Sequence, residues 1–264
     1  MKINQLVAML IILLIACEKP IDRPVELGGS NTLIVEGILT NEKKNHLIKL
    51  SHPHSQNGDQ VPVSGAIVQV AENNNIYLAS ESPSGSGIYA TQKMQALVGK
   101  TYVLRIQYQG KEYIAQDNAV PVDPLLKLSY RKVNDLYTLN PIQSGGGPNF
   151  IDHNITWKNT TFCTSWNTCE GRIIFYDLKT ADVNELFKPG KKEFAFPLGS
   201  TVIQKKYSCS PAFQNFLRSV LSETEWRGGA FDVQRANAAT NLSNGAIGFF
   251  AVSTTLSDTT VINP

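Results

Sequence analysis

The chain of 264 residues carries no G-x-S-x-G, no H-E-x-x-H and no P-loop. None of the common hydrolase, metalloprotease or nucleotide-binding signatures organises it. Charge of one sign is missing too: 24 Lys and Arg stand against 22 Asp and Glu, for a formal net charge of +2, with no Lys/Arg run. That balance argues against a nucleic-acid partner. Past residue 16, no apolar stretch approaches the length of a membrane span. Cysteine is scarce, with Cys17, Cys163, Cys169 and Cys209 the only four. No C-x-x-C spacing and no adjacent histidine accompany them, so a thiolate zinc site is not expected.

What is present begins with the first seventeen residues. Lys2 supplies a positive start, Leu6 to Ile15 is apolar and uncharged, and the run ends in Leu14-Ile15-Ala16-Cys17. A charged start, a short apolar core and a small residue before the cut describe a secretory signal too short to span a bilayer. The cysteine after the small residue resembles a bacterial lipobox. That resemblance implies cleavage before Cys17, with acylation of its thiol and of the new amino group. Several acyl chains at one point anchor firmly, because each buried methylene contributes about 0.8 kcal/mol. An ordinary signal peptide with a coincidental cysteine is the alternative. Loss of residues 1–16 removes Lys2 and leaves 248 residues with 23 basic and 22 acidic side chains. That is enough for one large or two small domains. Residues 17–31, with Pro20, Pro24 and Gly28-Gly29-Ser30, read as a lipidated tether. Glu18 and Asp22 near the anchor are interrupted by Lys19 and Arg23, so the membrane face stays open.

From residue 32 the pattern is that of strands. Leu33 to Leu39 and His46 to Ser51 flank a polar turn, which predicts a hairpin. Val68 and Val70 alternate with Ile67 and Gln69. Tyr102, Leu104, Ile106 and Tyr108 alternate with Arg105 and Gln107, and Gln109-Gly110 turns into Tyr113. Short strands with turns every ten residues or so predict an antiparallel β-sandwich over residues 32–120. Pro121 and Pro124 mark a junction to a second β-rich domain over 121–264. Its strand-like pieces lie at Leu125–Leu139, Ile151–Trp157, Arg172–Leu178, Glu193–Leu198, Thr201–Tyr207 and Ala246–Thr254. One segment breaks the pattern. Ser210 suits a cap, Pro211 suits the first helical position, and Phe213, Phe216, Leu217, Val220 and Leu221 follow helical spacing. One amphipathic helix near 211–222 is expected, packed on its own sheet.

Two stretches resemble known sequences. Pro62-Val63-Ser64-Gly65-Ala66, Gly87-Ile88-Tyr89 and Gly99-Lys100-Thr101-Tyr102 resemble the transthyretin-like, carboxypeptidase-regulatory sandwich found beside carboxypeptidase D and at the start of TonB-dependent receptors. With Val35-Glu36-Gly37, Lys49-Leu50-Ser51, Gly110-Lys111-Glu112-Tyr113 and Gly245-Ala246-Ile247-Gly248-Phe249-Phe250, the mature chain resembles domain-of-unknown-function family 4249. Those are envelope lipoproteins of Bacteroidota, often encoded near TonB-dependent receptors. The late Pro-x-Asn of that family is Ala239-Thr240-Asn241 here, and Lys158-Asn159 replaces the acidic residue after the mid-chain tryptophan. The resemblance implies an all-β, immunoglobulin/transthyretin-like fold and carries over no catalytic residue.

Candidate chemistry is thin. Gly85 to Ala90 fits G-x-G-x-x-A but lies between two strands, so it reads as a hairpin turn. His52 and His54, with His46 nearby, are the best metal candidates, because a spacing of two puts both imidazoles on one strand face. Pro53 between them favours a solvated loop instead. Asp152-His153 lacks a matched nucleophile. Trp157, Trp166 and Trp226 fit either a sugar-stacking cleft or a sandwich core. Asp258-Thr259-Thr260 resembles a short O-glycosylation site of Bacteroidota envelope proteins. After lipidation three thiols remain, so one is left over. In an oxidising compartment Cys163 and Cys169, five residues between them, are the first candidates for a disulfide, and Cys209 pairing with one of them is the next.

These readings converge on an outer-membrane lipoprotein without catalysis, cofactor or metal. Its expected partners are the membrane, through Cys17, and a TonB-dependent receptor of an envelope transport system. A surface adhesin or structural envelope protein is the alternative, and an enzyme with a dispersed site comes third.

Overall fold

The computed structural model describes residues 31–53, 61–140, 146–164, 168–178, 194–224 and 238–264. Cys17, His54, Trp166 and Trp226 lie outside these residues. The all-β class expected from the sequence holds, with a single helix among the described residues.

Strand alternation builds the first sheet. In β1 (Ile34–Thr40) and β2 (Leu47–His52), Val35, Leu39, Ile48 and Leu50 point inward and are buried. They pair as the expected hairpin, with Ile34 opposite Ser51. Strands β3 (Val61–Pro62), β4 (Ile67–Glu72), β5 (Asn75–Glu81), β6 (Ile88–Thr91), β7 (Thr101–Tyr108) and β8 (Lys111–Asn118) follow. The β7–β8 turn needs positive φ at both central positions, and Gln109 (49°) and Gly110 (73°) supply it. The turn after β5 brings Gly87 (φ 69°) against β2, where its carbonyl accepts from Leu50 N at 2.8 Å. A Cβ there would overlap the Leu50 carbonyl oxygen, so the G-x-G-x-x-A string is a tight turn and not a nucleotide loop.

The sheet is not made by residues 32–120 alone. Strand β15 (Ile247–Ser253), from the stretch assigned to the second domain, joins the outer edge of β1. The pair is parallel, with Ile34 opposite Ile247, whereas the antiparallel pattern read from the sequence covered residues 32–120. The nine-stranded sheet runs β15-β1-β2-β6-β5-β4-β7-β8, with β3 on β2. It curls until β8 and β15 face each other across a seam. Side chains stitch that seam. Asn241 donates to Gln116 O at 3.0 Å and Phe250 O at 2.8 Å and accepts from Phe250 N at 3.1 Å. Asp117 accepts from Val252 N at 2.7 Å. The core inside holds Tyr89, Tyr102, Leu104, Ile106, Phe250 and Val252.

A second layer packs outside. Strands β11 (Asn149–Thr156), β12 (Glu170–Asp177), β14 (Thr201–Ser208) and β16 (Thr255–Val261) form a four-stranded antiparallel sheet, ordered β12-β11-β14-β16. Strands β9 (Tyr130–Val133), β10 (Leu136–Leu139) and β13 (Ala195–Phe196) form a three-stranded one over the core of Tyr137, Ile155, Phe196, Val202 and Ile262. Helix α1 spans Pro211–Thr224, and Ser210 Oγ caps it by accepting from Phe213 N at 3.1 Å. Phe213 and Phe216 stack on Phe249 at 5.2 and 5.0 Å, and Phe213 meets Phe150 edge-on. So β15 is buried on both faces: Phe250 and Val252 inside the first sheet, Phe249 and Ala251 under the helix. That explains the near-continuous apolar run from Ala246 to Val252.

Candidate functional site

Strands β15 and β16 are one extended stretch that changes sheet at Thr254. The change is held by buried hydroxyls. Ser208 Oγ and Thr254 Oγ1 both donate to Val120 O, at 2.9 and 2.6 Å, and Ser253 Oγ donates to Ser208 O at 2.7 Å. Beside this junction lies an open cleft of about 420 Å³, lined by Asn41, Gln95 to Val98, Pro121, Val122 and Thr254 to Leu256. Its size falls in the usual range for ligand sites. The wall formed by Leu97, Val98 and Leu256 keeps 48, 57 and 41% of each residue exposed. The wall is fixed by Ala96 N donating to Thr40 O at 2.8 Å and Leu97 N donating to the Tyr102 hydroxyl at 2.9 Å. Asn41 holds the far side, accepting from Thr255 N at 2.8 Å and Thr255 Oγ1 at 2.9 Å and donating to Thr255 O at 3.2 Å.

Charges gather one residue along. Lys205 on β14 donates to Glu42 at 2.6 Å, and Lys44 donates to the same carboxylate. Burial works to raise the Glu42 pKa, but the hydrogen bonds from Lys205 and Lys44 outweigh it and bring it to about 2. Lys205 also sits 5.4 Å above the Tyr207 ring. On the same face, Arg172 grips Asp152 with two bonds of 2.8 Å. Burial, then the nearby Asp152 and Glu42 charges, push the Tyr207 hydroxyl up to about 12.

The residues singled out in the sequence are dispersed. His46 is buried, its Nε2 lies 3.2 Å from Met94 O, and burial lowers its pKa. His52 ends β2, its Nδ1 lies 3.0 Å from Thr32 O, and its ring leans on Tyr108. Among the described residues no cluster of three His, Cys, Asp or Glu could hold a metal. Asp152 and His153 are neighbours on a strand and point to opposite faces. His153 is fully buried beneath Phe175, and burial lowers its pKa. Trp157 packs against Phe194 beside the core. Cys163 and Cys169 are joined in a disulfide with Cα atoms 5.2 Å apart. Cys209 is a buried free thiol, pushed up to about 12 by burial and the charge of Asp117. The cleft itself, Asn41 and the edge strand β16 were not foreseen. The faint signal was the β-branched run Thr259-Thr260-Val261.

Residues 18–259 match the family model described as Domain of unknown function (DUF4249). No curated protein matches the chain.

Proposed function

The chain belongs to the DUF4249 family, and we propose that it is a non-catalytic binding module held on the outer membrane by lipid at Cys17. On this reading the cleft beside Thr254 receives a protein partner, a TonB-dependent outer-membrane receptor being the first candidate. One observation carries the binding half: a ligand-sized cleft whose exposed apolar wall is pinned on one side by the Ala96–Thr40 main-chain hydrogen bond and on the other by the Asn41 carboxamide. A preformed wall binds without the cost of ordering itself. The chemistry of the remaining groups supports a role without catalysis. Asp152 is committed to Arg172, His153 is sealed beneath Phe175, and the Cys209 thiol is held protonated. The anchor half rests on the Leu14-Ile15-Ala16-Cys17 sequence.

Two measurements test the two halves. A fatty-acid analogue supplied to cells labels the wild-type chain and not Cys17→Ala; equal labelling of both refutes the anchor. Crosslinked, detergent-solubilised envelopes yield an outer-membrane β-barrel with the wild-type chain. If the chain is surface-exposed to protease on whole cells and no barrel is recovered, the adhesin reading replaces the receptor one.

A further inference from the structure

Among the described residues, the last strand of the four-stranded sheet has an edge that is capped at both ends and open in the middle. Ser208 N donates to Thr254 O at 3.0 Å, and Ile262 N donates to Ser200 O at 2.9 Å. Antiparallel pairing alternates, so residues 254, 256, 258, 260 and 262 turn their main-chain groups toward β14. Residues 255, 257, 259 and 261 turn theirs outward. The Asn41 carboxamide pairs with Thr255 N and O as a peptide unit would. At the other end, Asn263 Nδ2 donates to Val261 O at 3.1 Å. Between these caps, no described residue pairs with the outward N–H and C=O groups of Ser257 and Thr259.

We propose that this window on β16 is a strand-addition site, and that the cleft takes a side chain of the added strand. This deepens the binding reading above and rests on it. Leu256 and Asp258 lie on one face of β16, opposite Lys206 and Gln204 on β14. Leu256 also lines the cleft with Leu97, Val98 and Val122. An antiparallel strand therefore sets one residue against Asp258 and, two positions further along, another against Leu256 at the cleft. The occupant is a cationic residue followed at the second position by an apolar one, in an extended segment of another protein. A second copy of this chain is a poor occupant. Antiparallel self-pairing that uses both Ser257 and Thr259 places Asp258 opposite Asp258 of the other copy. That is a non-hydrogen-bonded pair, where side chains are closest and like charges repel.

The test uses the full chain in detergent and synthetic nine-residue peptides. One has lysine at its fourth position and leucine at its sixth, with threonine elsewhere. The other has glutamate in place of the lysine. Wild-type protein is expected to bind the lysine peptide roughly ten-fold more tightly than the glutamate peptide, given cross-strand charge pairing at one position. Asp258→Lys reverses that order. Thr259→Pro removes an outward N–H while leaving the ladder to β14 intact, and abolishes binding. No binding of the lysine peptide at millimolar concentration, equal affinity for both peptides, or an unchanged order in Asp258→Lys overturns the proposal. Peptide binding with no barrel recovered from envelopes keeps the edge site and discards the receptor. Barrel recovery with no peptide binding does the reverse.

Discussion

Replacing Asn241 with alanine tests how the curled sheet is closed. The side chain makes three hydrogen bonds, two to β15 at Phe250 and one to β8 at Gln116. A net value of about 1 kcal/mol for each gives an expected loss of roughly 2–3 kcal/mol, with the unpaired Phe250 N–H contributing the largest share. Asn241→Asp keeps the acceptor for Phe250 N but sets a carboxylate oxygen against the Gln116 and Phe250 carbonyl oxygens, so it is expected to be no more stable than alanine. Equilibrium urea unfolding measures the loss as a lower midpoint at unchanged slope. Amide exchange separates local from global effects. Phe250 N–H loses protection first, while Val252 N–H, held by Asp117 at 2.7 Å, keeps most of its own. A loss below about 0.5 kcal/mol with unchanged exchange at Phe250 refutes the idea that this side chain closes the seam.

Three further outcomes follow from the packing and charges. Phe249→Ala removes the ring stacked on Phe213 and Phe216 and is expected to cost about 3–5 kcal/mol; α1 amides that still exchange at the wild-type rate contradict it. Gly248, at φ 92° and close against the Val35 carbonyl, has no room for a Cβ, so Gly248→Ala is expected to cost at least about 2 kcal/mol by thermal unfolding. Glu42 is held at about 2, below its ordinary 4.5, so its contribution is complete above pH 4.5 and drains as pH falls toward 2. Its side chain is 39% exposed, and screening leaves about 1 kcal/mol. The Tm gap between wild type and Glu42→Gln should close over that window, and a gap independent of pH refutes the role.

Local features were legible in the sequence because they leave periodic signals. Alternation located the hairpins of β1–β2 and β7–β8, and Ser210-Pro211 with five apolar residues at helical spacing located α1 almost to its ends. Contacts between distant segments left no such mark. The run Ala246 to Val252 read as a strand, but nothing in it says that it pairs in parallel with β1, more than two hundred residues earlier. Strand β16 was missed because Ser257, Asp258 and Thr259 are exposed and polar, as an edge strand's residues are. The cleft depends on Asn41 reaching Thr255 across 214 positions, and one carboxamide has no sequence signature. The promising spacing was that of His52 and His54, and His54 lies outside the described residues; His52 and the nearby His46 each spend a ring nitrogen on a main-chain carbonyl.

The binding reading is tested most directly by placing a photocrosslinking amino acid at Val98, on the cleft wall, and separately at Ile76. Ile76 is equally exposed, at 57%, on the outer face of the first sheet. Irradiation of intact envelopes is expected to join the Val98 variant to an outer-membrane β-barrel and to leave the Ile76 variant without that product. A barrel product from Ile76 alone, or none from either position, contradicts the cleft as the docking place.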